Sequence, residues 1–142
     1  MATVGARLLG AGLVIGIDGV NKRLEMSRHF GADETIDYTQ VDPVEQIREL
    51  TGGVGVDSAI ECLGGQSTFE ACMKATRPGG TISVAGYFGH GESVETPRVD
   101  WCVGMGDKVV RTRLCPGGNV RMARLLGPFE RGRVDPADVR IS

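Results

Sequence analysis

The chain has 142 residues, with 16 basic and 18 acidic side chains and a formal net charge of −2. That length suffices for one domain with a real core, and the near-balanced, well-mixed charge gives no electrostatic case for nucleic acid or an anionic membrane surface. No apolar run approaches the ~20 residues of a membrane span, and no basic segment followed by a long apolar core opens the chain, so a soluble, cytoplasmic protein is the expectation.

Periodic segments alternate along the chain. Residues 3–9 read as the end of a helix closed by Gly10 and Gly12. A continuous apolar strand follows at 13–17, ending in Asp18. Asn21 is a cap residue for a helix carrying Leu24 and Phe30, which Gly31 ends. Residues 34–36 form a short strand. Asp42-Pro43-Val44-Glu45 combines a cap, a proline at the first helical position and a glutamate three residues after the cap. Val44, Ile47 and Leu50 then make an apolar stripe, and Gly52-Gly53 stop the helix. Residues 56–62 read as a strand. Ser67 with Glu70 suggests a second capping box, opening a helix that buries Phe69, Cys72 and Met73. Pro78-Gly79-Gly80 reads as a turn into a strand at 81–85, and a glycine-rich loop containing His90 follows. Residues 108–114 give a last strand, and Asn119 opens a helix with Met122, Leu125, Leu126 and Phe129 on one face.

Five strands alternating with helices predict a Rossmann-type α/β fold, a parallel sheet with helices on both faces. Ligands in such sheets sit beyond the carboxyl ends of the strands. The acid ending the first strand is the leading functional candidate, because a carboxylate there accepts hydrogen bonds from an adenosine ribose and repels a 2′-phosphate. Its competing role is to favour the positive end of the helix starting near Asn21. In dinucleotide folds this acid lies about 20 residues beyond a glycine-rich phosphate loop, but only 17 residues precede Asp18. The expectation is therefore one truncated dinucleotide-binding domain over 1–142, with the first strand and the Gly-rich loop missing. In a 3-2-1-4-5-6 order that strand is central, so its two neighbours would each expose an unpaired edge.

Glycine, at 22 residues, far exceeds an average usage of about 7% and clusters at the ends of periodic segments, as a fold with many tight turns requires. Cys62, Cys72, Cys102 and Cys115 contain no C-x-x-C pair and read as free thiols. Neither His29 nor His90 has a cysteine at ligand spacing, so no metal site is expected within this chain.

Several segments in order, Gly5-Ala6-Arg7-Leu8-Leu9-Gly10-Ala11-Gly12, Gly31-Ala32, Gly55-Val56-Asp57, Pro78-Gly79-Gly80-Thr81-Ile82, Tyr87-Phe88-Gly89 and Leu114-Cys115-Pro116-Gly117-Gly118, resemble the zinc-dependent medium-chain alcohol dehydrogenases. Within these they are most similar to the bacterial secondary-alcohol dehydrogenases. The resemblance implies an NAD(P)-binding domain inserted in a catalytic domain. The zinc ligands would lie in that catalytic domain, outside this chain. It places the adenosine end of the cofactor near Asp18, Arg23 and Tyr38, with Arg23 either on the ribose or in solvent and Tyr38 either a contact or a solvated loop residue. It sets Ala85, Gly86 and Tyr87 at the nicotinamide, while Glu61, Cys62, Leu63 and Gly64, which follow a buried strand, either pass their backbone close to a ribose or form an ordinary strand-to-helix turn. Tyr87 and Leu114 would line the substrate pocket, with Cys115 lining it or merely packing. Asp18-Gly19-Val20 looks like the NAD-preferring pattern of the wider family, whereas its NADP-using secondary-alcohol members carry a small residue and then an arginine.

The expected function is thus the dinucleotide-binding portion of an alcohol dehydrogenase, oxidising alcohols to ketones or aldehydes in the intact enzyme, with no turnover by this chain alone. NAD is the expected cofactor and NADP the less favoured one. The final strand, a sheet edge, suggests a homo-oligomer. An alternative is a non-catalytic folded fragment that associates through exposed strand edges. A nucleotide-fold methyltransferase shares the acid after a strand and the Pro-Gly-Gly before one, but the Tyr-Phe-Gly and Leu-Cys-Pro-Gly-Gly segments count against it.

Overall fold

A computed structural model describes residues 1–89, 93–101, 106–112, 118–135 and 137. The elements run α1 (Ala2–Leu8), β1 (Ile15–Asp18), α2 (Asn21–His29), β2 (Glu34–Asp37), α3 (Pro43–Leu50), β3 (Val56–Glu61), α4 (Gln66–Ala75), β4 (Thr76–Val84), β5 (Val109–Thr112) and α5 (Asn119–Glu130). Every pairing among the described strands is parallel, as the alternating pattern predicts. The strands form two sheets, β1–β2 and β3–β4–β5, and β1 and β3 are not hydrogen-bonded to each other. Among the described residues each of these two therefore keeps a side without a strand partner.

Two apolar clusters hold these layers. Phe69 and Met73 of α4 pack on Ile82 and Val84 of β4, with Ala59, Cys72, Phe88 and Val110 around them. The second cluster joins the sheets: Ile36 of β2, Ile47 of α3 and Ala75 of α4 meet beneath Ile15 and Val56. Ile15 and Val56 are the first residues of β1 and β3, so the amino ends of the two sheets rest on one core.

Local signals explain several element ends. The Asp42 carboxylate accepts from the Val44 and Glu45 amides at 2.7 and 3.1 Å, as the capping pattern predicts. Gly31, at φ +97°, ends α2 in the left-handed conformation that only glycine adopts without penalty, and the Ala32 amide reaches back to the Ser27 carbonyl. Arg7 of α1 then reaches over this corner, donating to the carbonyls of Gly31 and Ala11 and to the Asp33 carboxylate. Asp33 also accepts from the Val14 amide at 2.7 Å. That bond first, and Arg7 after it, outweigh desolvation and hold the Asp33 carboxyl below its ordinary value. The clamp occupies the backbone of Val14, so β1 begins at Ile15 and not at Leu13 as expected.

Other expectations need correction. Val20, not Asn21, is the N-cap of α2, and no side chain caps that helix; the Asp18 carboxylate accepts from the amide of Val20 itself, just before the first turn. Gly65, not Ser67, is the N-cap of α4; Gln66 instead binds Glu70 one turn on, at 2.8 Å. Pro78-Gly79-Gly80 is not a turn before the strand. It lies inside β4, where the register jumps from Val56 opposite Thr76 to Ser58 opposite Thr81, so residues 77–80 bulge from the ladder. Gly80 has no room for a Cβ in this bulge, which would meet the Arg77 and Asp57 carbonyl oxygens at 2.9 Å each. In α3 only Ile47 of the expected stripe is buried. In α5 no residue is buried, and Met122, Leu125 and Leu126 stay exposed, because no described element packs over that face.

Ile82 is fully buried between α4 and the sheet. Ile82→Ala is expected to lower unfolding stability by about 2–4 kcal/mol, read as a lower urea midpoint at unchanged slope.

Candidate functional site

The carboxyl ends of the strands carry the candidate residues in two groups. The first lies at β1 and β2. Asp18 ends β1 and stands opposite Asp37 at the end of β2. One Asp18 oxygen accepts from the Val20 amide at 3.0 Å, and the other lies 3.7 Å from Arg23 Nη1. Arg23 itself is largely solvated, so this pair is a loose surface contact. Tyr38 closes on the same turn: a Cβ on Gly19 would meet its ring at 2.8 Å and its hydroxyl at 2.9 Å. Asp18, Arg23 and Tyr38 thus share one corner, with glycine at 19 required for the approach of the ring. Asp37 belongs to this corner too, accepting from the Thr39 amide and hydroxyl at 2.9 and 2.6 Å. The strand-end rule applied to β2 names Tyr38, and it is the register that sets Asp37 opposite Asp18.

The second group lies at β3 and β4, where two loops cross back to back. The Ala85 and Gly86 amides donate to the Glu61 carbonyl at 2.8 and 3.0 Å. A Cβ on Gly64 would meet the Tyr87 amide nitrogen at 2.8 Å, and one on Gly86 would meet the Leu63 carbonyl carbon at 2.7 Å. Gly64 also has φ +86°. Glycine at 64 and 86 is what lets 62–64 and 85–87 touch through their backbones. On top of this crossing Leu63 and Tyr87 are 74% and 86% exposed, so two large apolar side chains stand unpacked over the strand ends. Ala85 and Cys62 are exposed beside them.

Beneath the crossing lies Glu61, expected to contribute through its backbone but found to act through its side chain as well. The Glu61 carboxylate is 2% exposed and accepts from the Leu63 amide (2.9 Å), the Gly64 amide (2.9 and 3.1 Å) and the Thr68 hydroxyl (2.7 Å). Burial pushes its carboxyl up, but bonds from Thr68, Gly64, Leu63 and Gly65 together outweigh this and hold it below the ordinary 4.5. The stabilisation is therefore present above the unfolded value and is lost as pH falls through the lowered folded value. The strand-ending position of Glu61 was visible; its inward direction was not.

Desolvation, then the Glu61 charge, pushes the Cys62 thiol up, which disfavours the thiolate a nucleophile needs. Cys72 is pushed to about 11 by the same causes in the same order, and both cysteines are free thiols. Among the described residues no group of three or more His, Cys, Asp or Glu side chains is placed to hold a metal. Leu114, Cys115 and His90 lie outside the described residues. No helix among the described residues is long and apolar enough to cross a membrane.

Parallel strands with interleaved helices, ending in an acid on β1 and in touching glycine loops on β3 and β4, define the Rossmann-like α/β class. The chain belongs to the zinc-binding dehydrogenase family, whose model matches residues 1–115. Over 134 residues it is 46% identical to an alcohol dehydrogenase of Cupriavidus necator, covering 94% of this chain and 36% of that protein. It is 39% identical over 137 residues to the NADP-dependent isopropanol dehydrogenase of Thermoanaerobacter brockii, covering 96% of this chain and 39% of that one. Among solved structures, the alcohol dehydrogenase TADH from Thermus sp. ATN1 superposes with a TM-score of 0.82 at 31% identity, over 95% of this chain and 38% of the other. A zinc-binding dehydrogenase family protein from Sinorhizobium meliloti 1021, solved bound to NADP, gives 0.78 at 28% identity over 90% and 37%. The chain thus spans less than two fifths of the length of these relatives.

Gly86→Ala drives a methyl group into the Gly64 and Glu61 side of the crossing. It is expected to cost about 2–3 kcal/mol, measured by chemical unfolding. A change within about 0.5 kcal/mol would show that the loops can part freely.

Proposed function

We propose that this chain is the nicotinamide-dinucleotide-binding module of an alcohol dehydrogenase, contributing the hydride-accepting cofactor rather than the zinc. The observation that carries this reading is the pairing, on strand carboxyl ends, of an acid corner with a glycine crossing crowned by exposed Leu63 and Tyr87. The Asp18 oxygen not tied to Val20 is suited to the ribose hydroxyls, and Tyr38 shelters that corner. The backbone of Cys62, Leu63 and Gly64 offers a close approach to the second ribose. Ala85, Gly86 and Tyr87 sit where the nicotinamide would lie, with Tyr87 and, by family resemblance, Leu114 toward the alcohol. In the intact enzyme zinc would polarise the alcohol oxygen and the bound cofactor would take the hydride.

The preferred cofactor in this reading is NAD. Asp18 and, across the register, Asp37 place two carboxylates where a 2′-phosphate would add charge, against the single loosely held Arg23. Titration with NADH and NADPH, followed by calorimetry, tests this. NADH is expected to bind about tenfold more tightly, and Asp18→Ala to weaken NADH by a similar factor. NADPH binding at least as tight as NADH overturns the NAD assignment, and binding of neither overturns the module.

A second reading is favoured by a different observation. Among the described residues β1 and β3 each lack a strand partner on one side, and Ile17 and Ile60 on them are 45% and 44% exposed, although parallel strands are ordinarily covered on both faces. Such edges recruit other strands. In this reading the chain self-associates through them and binds cofactor weakly or not at all. Light scattering is expected to show a dimer that Ile17→Lys returns to monomer; a concentration-independent monomer excludes it.

A further inference from the structure

We propose that Glu61 is a positioning residue: by gripping the start of the 62–64 loop from below, its carboxylate sets where that loop crosses 85–87 and so shapes the seat for the nicotinamide-riboside half of the dinucleotide. The inference rests on the cofactor reading above and names a residue that touches no part of the ligand.

Three features of the geometry support it. First, the carboxylate is almost wholly buried, yet among the described ion pairs none includes it. Its charge is met by the Leu63 and Gly64 amides and the Thr68 hydroxyl, all at 2.7–3.1 Å. A buried charge satisfied only by local donors ties those donors firmly, because releasing any one leaves it under-solvated. Second, the same residue acts on the other loop through its backbone, its carbonyl accepting from the Ala85 and Gly86 amides. Glu61 is therefore joined to both sides of the crossing, one by side chain and one by main chain. Third, a Cβ on Gly86 would collide with the Glu61 carboxylate as well as with Gly64, so Gly86 rests directly on the pin. The titratable groups facing the carboxylate are the thiols of Cys62 beside it and Cys72 on α4, both pushed up and neutral near pH 7, so Glu61 carries the local charge.

Glu61→Gln keeps the shape but substitutes an amide, whose NH2 group opposes the loop amides it replaces a partner for. In the full 142-residue chain, NADH is expected to bind about tenfold more weakly, while adenosine 5′-monophosphate, which reaches only the Asp18 corner, stays within about twofold. Equal weakening of both ligands would mean a general structural role and overturn the proposal, as would unchanged NADH binding. Should Glu61→Gln fail to fold, Thr68→Ala removes one donor from the same carboxylate and is expected to weaken NADH about threefold with the monophosphate unaffected. A cofactor-free readout separates this idea from the module itself. In amide NMR spectra the Leu63, Gly64 and Gly86 resonances are expected to move together through one acid titration. A Gly86 amide that ignores that titration overturns the link between the loops. Absence of NADH binding by the unaltered chain overturns the cofactor reading and the seat with it, and the joint titration then decides whether Glu61 holds the two loops.

Discussion

A carboxylate buried at the end of β3 is the constraint from which the candidate site follows. Isolated in an apolar interior, the Glu61 charge would be costly enough to be protonated or expelled. Here the chain turns sharply after Glu61 so that its next amides point back at the carboxylate, and Thr68 in the first turn of α4 supplies a hydroxyl. Those bonds shape the loop between β3 and α4, bring Gly64 against the backbone of Tyr87, and leave Leu63 facing outward. One charge-assisted cluster thus orders the start of a helix and the meeting of two loops.

The rest of the molecule is organised around a shared base. Ile15 and Val56 enter their strands from the same apolar cluster of Ile36, Ile47 and Ala75, which is the main link between the two sheets. The β3–β4–β5 sheet has a second and tighter core in Met73 and Ile82, both with no measurable exposure. The β1–β2 sheet depends more on polar restraint, with Arg7, Gly31 and Asp33 fastening α1 to the turn before β2. The acid corner therefore rides on the first sheet and the glycine crossing on the second. A dinucleotide spanning both would draw on the link between them.

How much of this could be read from residues alone varied with the range of the interaction. Asp42-Pro43 and Gly31 are legible in the sequence because a cap and a left-handed glycine are settled within a few residues. Asn21 and Ser67, expected as caps, are instead the first and second residues inside their helices, which start from Val20 and Gly65 with no side-chain cap at either N-terminus, and composition alone does not fix which residue leads the first turn. Pro78-Gly79-Gly80 has turn composition, yet pairing of Thr76 with Val56 pulls it into β4 as a bulge. The stripe on α5 has helical spacing, but spacing cannot say whether another element lies opposite it. Within the candidate site, Asp18 stood out through its strand-end position, whereas Asp37 needed the strand register and Glu61 needed the direction of a side chain.

The sequence by itself determined the alternation of strands and helices, the parallel class, the family and the leading acid, because these rest on apolar periodicity and on short motifs in order. The unpaired inner sides of β1 and β3 also follow from the expected strand order, whereas only the tertiary structure decided that Tyr38 closes on Gly19 and that loops 62–64 and 85–87 cross over a buried glutamate. The physical reason is separation along the chain. Gly64 and Tyr87 lie on different strand ends, and their approach is set by the sheet register and by the space glycine leaves, neither of which any local stretch of sequence encodes.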